Sequence, residues 1–306
     1  MTSIRPPEEI LARAIDDLSS AEDFIRWGAR RFSEHGLYFG HGTDNAVDEA
    51  RWLVLHALGL NPQSPEALPE LDLSRKQREA VAAIIERRIA SRKPAAYLTG
   101  EAWFAGLKFH LNEHVLVPRS PIAEWIERAF EPFVDPAGVS RILDLGTGSG
   151  CIAVALAVAF PGARVDASDV SPAALEVARR NVEAHGLDRR IKLVQSDAFD
   201  QLSARYDLIV SNPPYVPKRS FERLPEEYRH EPESGLVAGS EGLDVITTII
   251  RDAPRFLSAN GLLVVEVGEA RKALEARYPG LPFLWLEMTR GGDNVFALTR
   301  LELEAE

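Results

Sequence analysis

Ile142-Leu143-Asp144-Leu145-Gly146-Thr147-Gly148-Ser149-Gly150-Cys151-Ile152-Ala153 passes from an apolar run through three alternate glycines into a second apolar run. The first run reads as a buried strand, the glycines as a tight turn, and the second run as the start of a helix. Glycine lets the backbone take conformations closed to other residues and come close to a ligand. A dinucleotide-binding turn spaces its glycines G-x-G-x-x-G. Here they stand at 146, 148 and 150, so the third comes one residue early. A plain structural turn needs fewer.

Outward from this unit, strands and helices alternate. Strands are expected at 141–145, 164–167, 191–194, 208–211, 262–267, 283–287 and 295–299, and helices at 121–133, 151–159, 172–185, 244–257 and 270–278. Such alternation implies α/β architecture, a mostly parallel sheet of seven strands with helices on both faces. The last two strands have no helix between them, so they form an antiparallel hairpin across Gly291-Gly292-Asp293.

Before residue 94 the period is helical. Ile10, Leu11, Ala14, Ile15 and Leu18 recur at helical spacing, as do Phe24, Ile25, Trp27 and Phe32, a segment that ends at Gly36. Asp44 is placed to cap a helix over Val47 to Ala57, and Ser74 one that ends before Pro94. Residues 61–69, with three prolines, read as a loop. Tyr97, Trp103, Phe104, Leu107, Phe109 and Leu111 around Gly100 and Gly106 read as a β-hairpin linker. Three parts follow: a small all-helical domain over 1–93, the hairpin linker over 94–118, and the α/β domain over 119–306.

The glycine loop, D-x-G-x-G-x-G, resembles the S-adenosylmethionine-binding loop of Rossmann-like methyltransferases. The resemblance implies that the cofactor lies across Gly146, Thr147, Gly148 and Gly150, with Asp144 holding its ammonium group directly or through water. Asp169 ends the next strand, about twenty residues past the glycines, where a carboxylate can accept from ribose hydroxyls. Its structural alternative is a helix cap, although Ser171 already serves there. After the third strand, Asp197 is placed to accept from the adenine amino group and Phe199 to line the ring; a plain loop aspartate is the alternative. Cys151 reads as a packing residue.

The fourth strand runs into Asn212-Pro213-Pro214-Tyr215. Two prolines aim a rigid loop out of the carboxyl edge of the sheet, where ligands of open α/β sheets bind. An amide or aromatic amino nitrogen is a poor nucleophile because its lone pair is delocalised. It carries two N–H donors, and Asn212 offers a side-chain carbonyl while Pro213 offers a main-chain one. Two fixed acceptors hold both hydrogens, favour positive charge developing on nitrogen, and aim the lone pair. Tyr215 can pack against the planar group. These residues point to methylation of a planar amino group.

The chain has 306 residues and a net charge of −11, which does not suit bulk binding to a phosphate backbone. It suits a basic protein partner, or simply solubility. A single cysteine excludes an internal disulfide framework. Residues 1–7 lack the apolar run of a secretory signal, and no 18-residue apolar stretch exists, so a soluble cytoplasmic protein is expected. The seven histidines show no zinc-ligand spacing, so no metal is expected.

Over nearly its full length the chain resembles the glutamine methyltransferases that modify translation components, through the helical domain, the hairpin, D-x-G-x-G-x-G and N-P-P-Y. The resemblance implies transfer to the side-chain amide nitrogen (N5) of a glutamine. One branch acts on release factors and another on the third protein of the large ribosomal subunit. Four stretches resemble the ribosomal branch: 39–45 (FGHGTDN), 117–122 (VPRSPI), 228–233 (YRHEPE) and 291–296 (GGDNVF). The release-factor branch reads I-P-R-P-[DE]-T-E after the hairpin, whereas this chain has Ser120 and Ala123. That branch also tends to place an aromatic where this chain has Ala198. Arg119 is implied as a substrate contact, with a salt bridge as its alternative, and His41 as part of a loop. The implied partner is ribosomal protein L3, free or in an assembly precursor. A release-factor methyltransferase, an adenine-N6 nucleic-acid methyltransferase and a non-catalytic cofactor-binding module stand as the competing readings.

Overall fold

The computed structural model describes residues 7–61, 72–289, 291, 292 and 294–305. It divides into two compact units. The first comprises Met1–Gly100 with Pro225–His230, and the second Glu101–Leu224 with Glu231–Glu306.

The described part of the first unit holds five α-helices, α1 (Pro7–Asp17), α2 (Ala21–Glu34), α3 (Ala46–Ala57), α4 (Arg75–Ser91) and the short α5 (Ala95–Thr99), together with a 3-10 turn at Glu226–His230. Phe24, Ile25 and Phe32 of α2, Leu53 and Val54 of α3, and Val81 and Ile85 of α4 form its apolar interior. Ser20 and Asp23 cap α2 reciprocally, and Ser74 and Gln77 do the same for α4. The cap of α3 is Asn45 rather than Asp44: the Asn45 side chain accepts from the Val47 and Asp48 amides, one residue further on. Tyr97, expected in the hairpin, lies on α5 instead. From residue 62 the loop expected at 61–69 falls outside the described residues.

The first unit also has a charged interior. Arg88 is wholly buried; its Nε donates to Glu49 and its Nη2 donates to the Tyr38 carbonyl at 3.1 Å. Glu227, equally buried, accepts from the Tyr38 amide at 3.0 Å and pairs with Arg92 at 2.7 Å. Burial pushes the Glu49 carboxyl above its ordinary range, and Arg88 opposes that rise.

The second unit opens with a hairpin, β1 (Glu101–Phe104) and β2 (Leu107–His110). It belongs to this unit rather than standing apart as a linker. The reason is Asn181, fully buried, whose side chain accepts from the His110 amide and donates to the His110 carbonyl. Then follow α6 (Ile122–Glu127), β3 (Arg141–Leu145), α7 (Cys151–Ala159), β4 (Arg164–Asp169), α8 (Pro172–Ala184), β5 (Ile191–Gln195) and β6 (Tyr206–Ser211). After β6 come two single-turn helices, α9 (Lys218–Phe221) and α10 (Glu233–Leu236). Next are α11 (Asp244–Phe256), β7 (Leu257–Glu266), α12 (Arg271–Arg277), β8 (Leu284–Trp285), β9 (Val295–Thr299) and α13 (Arg300–Glu304).

The sheet has seven strands in the order β5-β4-β3-β6-β7-β9-β8, and only β9 runs antiparallel to its neighbours. Ile142, Leu208 and Val210 point to the face covered by α6 and α7; Leu143 and Ile209 point to the face covered by α11 and α12. This is the expected Rossmann-like architecture, with both faces of a parallel sheet buried. The helix expected at 121–133 stops at Glu127. Ala129 and Phe130 take left-handed conformations, and the residue before Pro132 is barred from the helical region. The antiparallel pairing of β8 with β9 is present, although β8 is two residues long; Asp293 of the expected turn lies outside the described residues.

Replacing Arg88 by Met leaves Glu49 buried without its cation and Glu227 with Arg92 alone. Loss of one partner from such a network costs about 3–5 kcal/mol. Urea unfolding of Arg88→Met should show a drop of that order.

Candidate active site

One cavity lies at the carboxyl ends of β3, β4, β5 and β6. Its walls are the loop 145–149, Asp169 to Ser171, Ser196 to Ala198, and Ser211 to Val216; residues 114–120 and 232–236 close it. The strand order turns back between β3 and β6, and crevices at such switch points hold ligands in open α/β sheets.

The glycine loop is pinned from below. The Gly146 and Thr147 amides both donate to the Ser168 carbonyl at 2.8 Å. Gly146 and Gly148 have φ of +75° and +55°, and a Cβ on either would point into open space. Gly150 meets a different demand: its φ is +81° and a Cβ would stand 3.2 Å from Cα and Cβ of Ala178, so α7 and α8 approach closely there.

Asp144 is fully buried under this loop, and the cavity wall does not include it. Its Oδ2 accepts from the Thr147 hydroxyl and from the Ala153 amide at 2.9 Å, while Oδ1 has no hydrogen-bond partner among the described residues. Burial pushes its carboxyl up to about 7, against the pull of those two donors. Asp169 does line the cavity. Its Oδ2 accepts from the Gly148 amide and its Oδ1 from the Ser171 amide, both at 2.9 Å. A carboxylate has about four acceptor sites, so capacity for two hydroxyls remains. Burial raises the Asp169 carboxyl as well. Ser171 caps α8, as the sequence indicated.

Asp197 faces the cavity, but Phe199 does not. The expected ring contact by Phe199 is corrected: its side chain turns into the interior and stacks on Phe256 at 4.6 Å, because a large apolar ring gains more in that cluster than at the cavity rim. Ala198, with a φ of +41°, lines the wall in its place. Sequence reasoning missed Val170, which stays 59% exposed in the cavity wall directly after Asp169. An apolar β-branched residue beside a carboxylate at a strand end was the available signal.

Asn212, Pro213, Pro214 and Tyr215 all line the cavity. Their loop is held at both ends. Ser211 Oγ donates to the Leu145 carbonyl at 2.7 Å, tying β6 to β3. The Val216 amide donates to Leu236, and the Ala238 amide donates to Val216. Tyr215 donates its hydroxyl to Glu266 Oε1 at 2.9 Å.

Arg119 also lines the cavity, but its guanidinium forms a fork on Glu231, at 2.6 and 2.7 Å. Of the two readings of Arg119, the salt bridge is present, since the wholly buried Glu231 side chain requires a cation. Cys151 lies at the cavity base, and burial pushes its thiol up to about 12, so it stays protonated near neutral pH. No His, Cys, Asp or Glu cluster able to hold a metal occurs among the described residues, nor a helix long and apolar enough to cross a membrane.

Two family models match the chain: the methyltransferase small domain over residues 132–224 and the PrmC N-terminal domain over residues 23–100. A ribosomal protein uL3 glutamine methyltransferase of Neisseria meningitidis serogroup B is 48% identical, over 96% of this chain and 97% of the relative. Proteins of the same name from Xylella fastidiosa and Bordetella pertussis are 50% and 47% identical, over 95% and 94% of this chain and 94% and 97% of theirs. The solved hMettl16 catalytic domain, in complex with a MAT2A 3'UTR hairpin, is similar in fold. It has a TM-score of 0.51 at 22% identity, over 63% of this chain and 75% of that one.

The raised Asp144 carboxyl has a consequence for stability. The unfolded chain releases this proton near 3.8 and the folded protein near 7. Its contribution to stability is therefore full below the lower value and is lost as pH rises through the higher one. Asp144→Asn keeps an acceptor for Thr147 and Ala153 without the titration. Melting temperatures measured between pH 4 and 8 should move in favour of the variant as pH rises; parallel curves for the two proteins would contradict the assignment.

Proposed function

The chain belongs to the family of ribosomal protein uL3 glutamine methyltransferases, and on that premise we propose that it methylates the side-chain amide nitrogen of a glutamine in uL3, with Asn212 and Pro213 holding the amide. The observation that carries the reading is the shared cavity of the glycine loop and Asn212-Pro213-Pro214-Tyr215.

The cofactor we assign is S-adenosylmethionine, and the residues present fit it. A cationic amine suits the buried Asp144 Oδ1, which lacks a partner among the described residues, through water or a small shift of the loop. The absent Cβ atoms of Gly146 and Gly148 leave the loop backbone open to a ligand. Asp169, Asp197, Val170 and Ala198 line the cavity; there Asp169 would accept the ribose hydroxyls, Asp197 would accept the adenine amino group, and Val170 and Ala198 would offer apolar surface to the ring. When bound, the cofactor supplies a methyl group made electrophilic by its sulfonium. The chain's own residues do the rest. Asn212 Oδ1 and the Pro213 carbonyl accept the two amide N–H groups, turn the nitrogen lone pair out of conjugation and favour charge developing there. Pro213 and Pro214 keep this geometry at little entropic expense. Tyr215 packs against the amide plane, and Arg119 with Glu231 fixes the segment that closes the cavity.

The net charge of −11 favours encounter with a basic ribosomal protein over a nucleic acid. The substrate is taken as uL3 free or in a large-subunit precursor, in the cytoplasm.

Asn212→Ala removes one of the two acceptors. It should lower kcat on purified uL3 by about a hundredfold or more, the usual effect of losing one preorganised polar group at the reacting centre. Cofactor affinity by calorimetry should change far less. The direct readout is mass spectrometry of uL3 peptides for one added methyl on a glutamine. Full activity in the variant, or a methyl on an adenine base instead, would refute the reading.

A further inference from the structure

Glu266 ends β7 one step past the Ser211–Val265 pairing, beside the point where β6 gives way to Asn212. The residue is 6% exposed, and its carboxylate receives two hydroxyl donors, one on each oxygen: Tyr215 on Oε1 at 2.9 Å and Ser120 on Oε2 at 2.5 Å. The four residues before it, Leu262 to Val265, are apolar and buried. Strand and core would be satisfied by one more apolar residue, and a buried carboxylate in its place is unfavourable by itself. Burial raises this carboxyl, while Ser120, Tyr215 and the nearby Arg119 charge lower it. The Tyr215 ring is confined on another side. Gly268 sits at φ +46°, and a Cβ there would stand 2.3 Å from the ring. The hydroxyl and the ring edge thus leave Tyr215 a single place. Because Tyr215 follows directly on Pro213-Pro214, which turn little, fixing Tyr215 fixes the angle between the Asn212 side chain and the Pro213 carbonyl.

We propose that Glu266 is a positioning residue for methyl transfer, holding Tyr215 and through it the two acceptors that orient the substrate amide, with Ser120 locking the carboxylate from the opposite side. This rests on the assignment of Asn212 and Pro213 as the amide-binding acceptors. Glu266 touches no reacting atom. Its effect is therefore expected on the chemical step and not on the binding of either ligand.

Glu266→Gln preserves shape but offers one acceptor and one donor to two hydroxyls that both need an acceptor. Tyr215→Phe removes the same bond from the other end. Each should lower kcat on purified uL3 by about tenfold to a hundredfold, the range for a hydrogen bond to a charged group. KM for uL3 and the dissociation constant of S-adenosylmethionine should stay within about twofold. The double variant should fall no further than the weaker single one, because both delete one interaction. Multiplying effects, an unchanged kcat, or a loss confined to KM or cofactor affinity would overturn the proposal. If Glu266→Gln does not fold, Glu266→Asp replaces it in the same cycle. Wild-type protein that puts no methyl on uL3 would refute the proposed function itself, whereas an active wild type with multiplying variants refutes only the role of Glu266.

Discussion

The register of β3 against β6, which sets Leu145 opposite Ser211, is the constraint on which the site depends. Each strand ends where its loop begins, so this pairing alone sets the glycine turn and Asn212-Pro213-Pro214-Tyr215 side by side. The Ser211 hydroxyl on the Leu145 carbonyl locks the last rung. A slip of one residue would send every side chain of β6 to the opposite face and bury Asp207 in place of Leu208. Core packing on both faces therefore maintains the distance between the two loops, although no core residue takes part in the chemistry.

Features encoded locally were legible in the sequence. Periodicity located the sheet strands and most helices, and glycines and prolines marked the loops that carry the site, because these signals act within a few residues. What escaped were contacts between distant segments. Nothing near Glu266 in the chain announces that Ser120 and Tyr215 will meet it, 146 and 51 residues away. Phe199 was read as a ring contact because its position after the third strand fits one, and only the presence of Phe256 shows why it turns inward. The Asn45 cap is a single-residue matter, decided by competition between neighbours of similar propensity, whereas α6 ends early because Ala129 and Phe130 turn left-handed ahead of Pro132.

Carboxylates with raised titration surround the cavity: Asp144 beneath it, Asp169 in its wall and Glu266 behind Tyr215. Burial is the leading cause in each case, opposed by hydrogen-bond donors from the chain itself. The arrangement holds unfavourable buried acidity in a region that would pack more stably with apolar groups, a pattern associated with sites shaped by function rather than by folding.

The membership of Pro225–His230 in the helical unit bears on how the protein could be dissected. A fragment ending at Gly100 would carry Arg88 and Arg92 without Glu227, which pairs with Arg92 and accepts from the Tyr38 backbone. The complementary fragment would carry Glu227 with no cation to neutralise it. Autonomy of the helical unit is thus compromised at the level of charge balance, and no single cut in the polypeptide separates two self-sufficient pieces. Transplanting this unit onto another catalytic domain would require bringing the six-residue insert along with it.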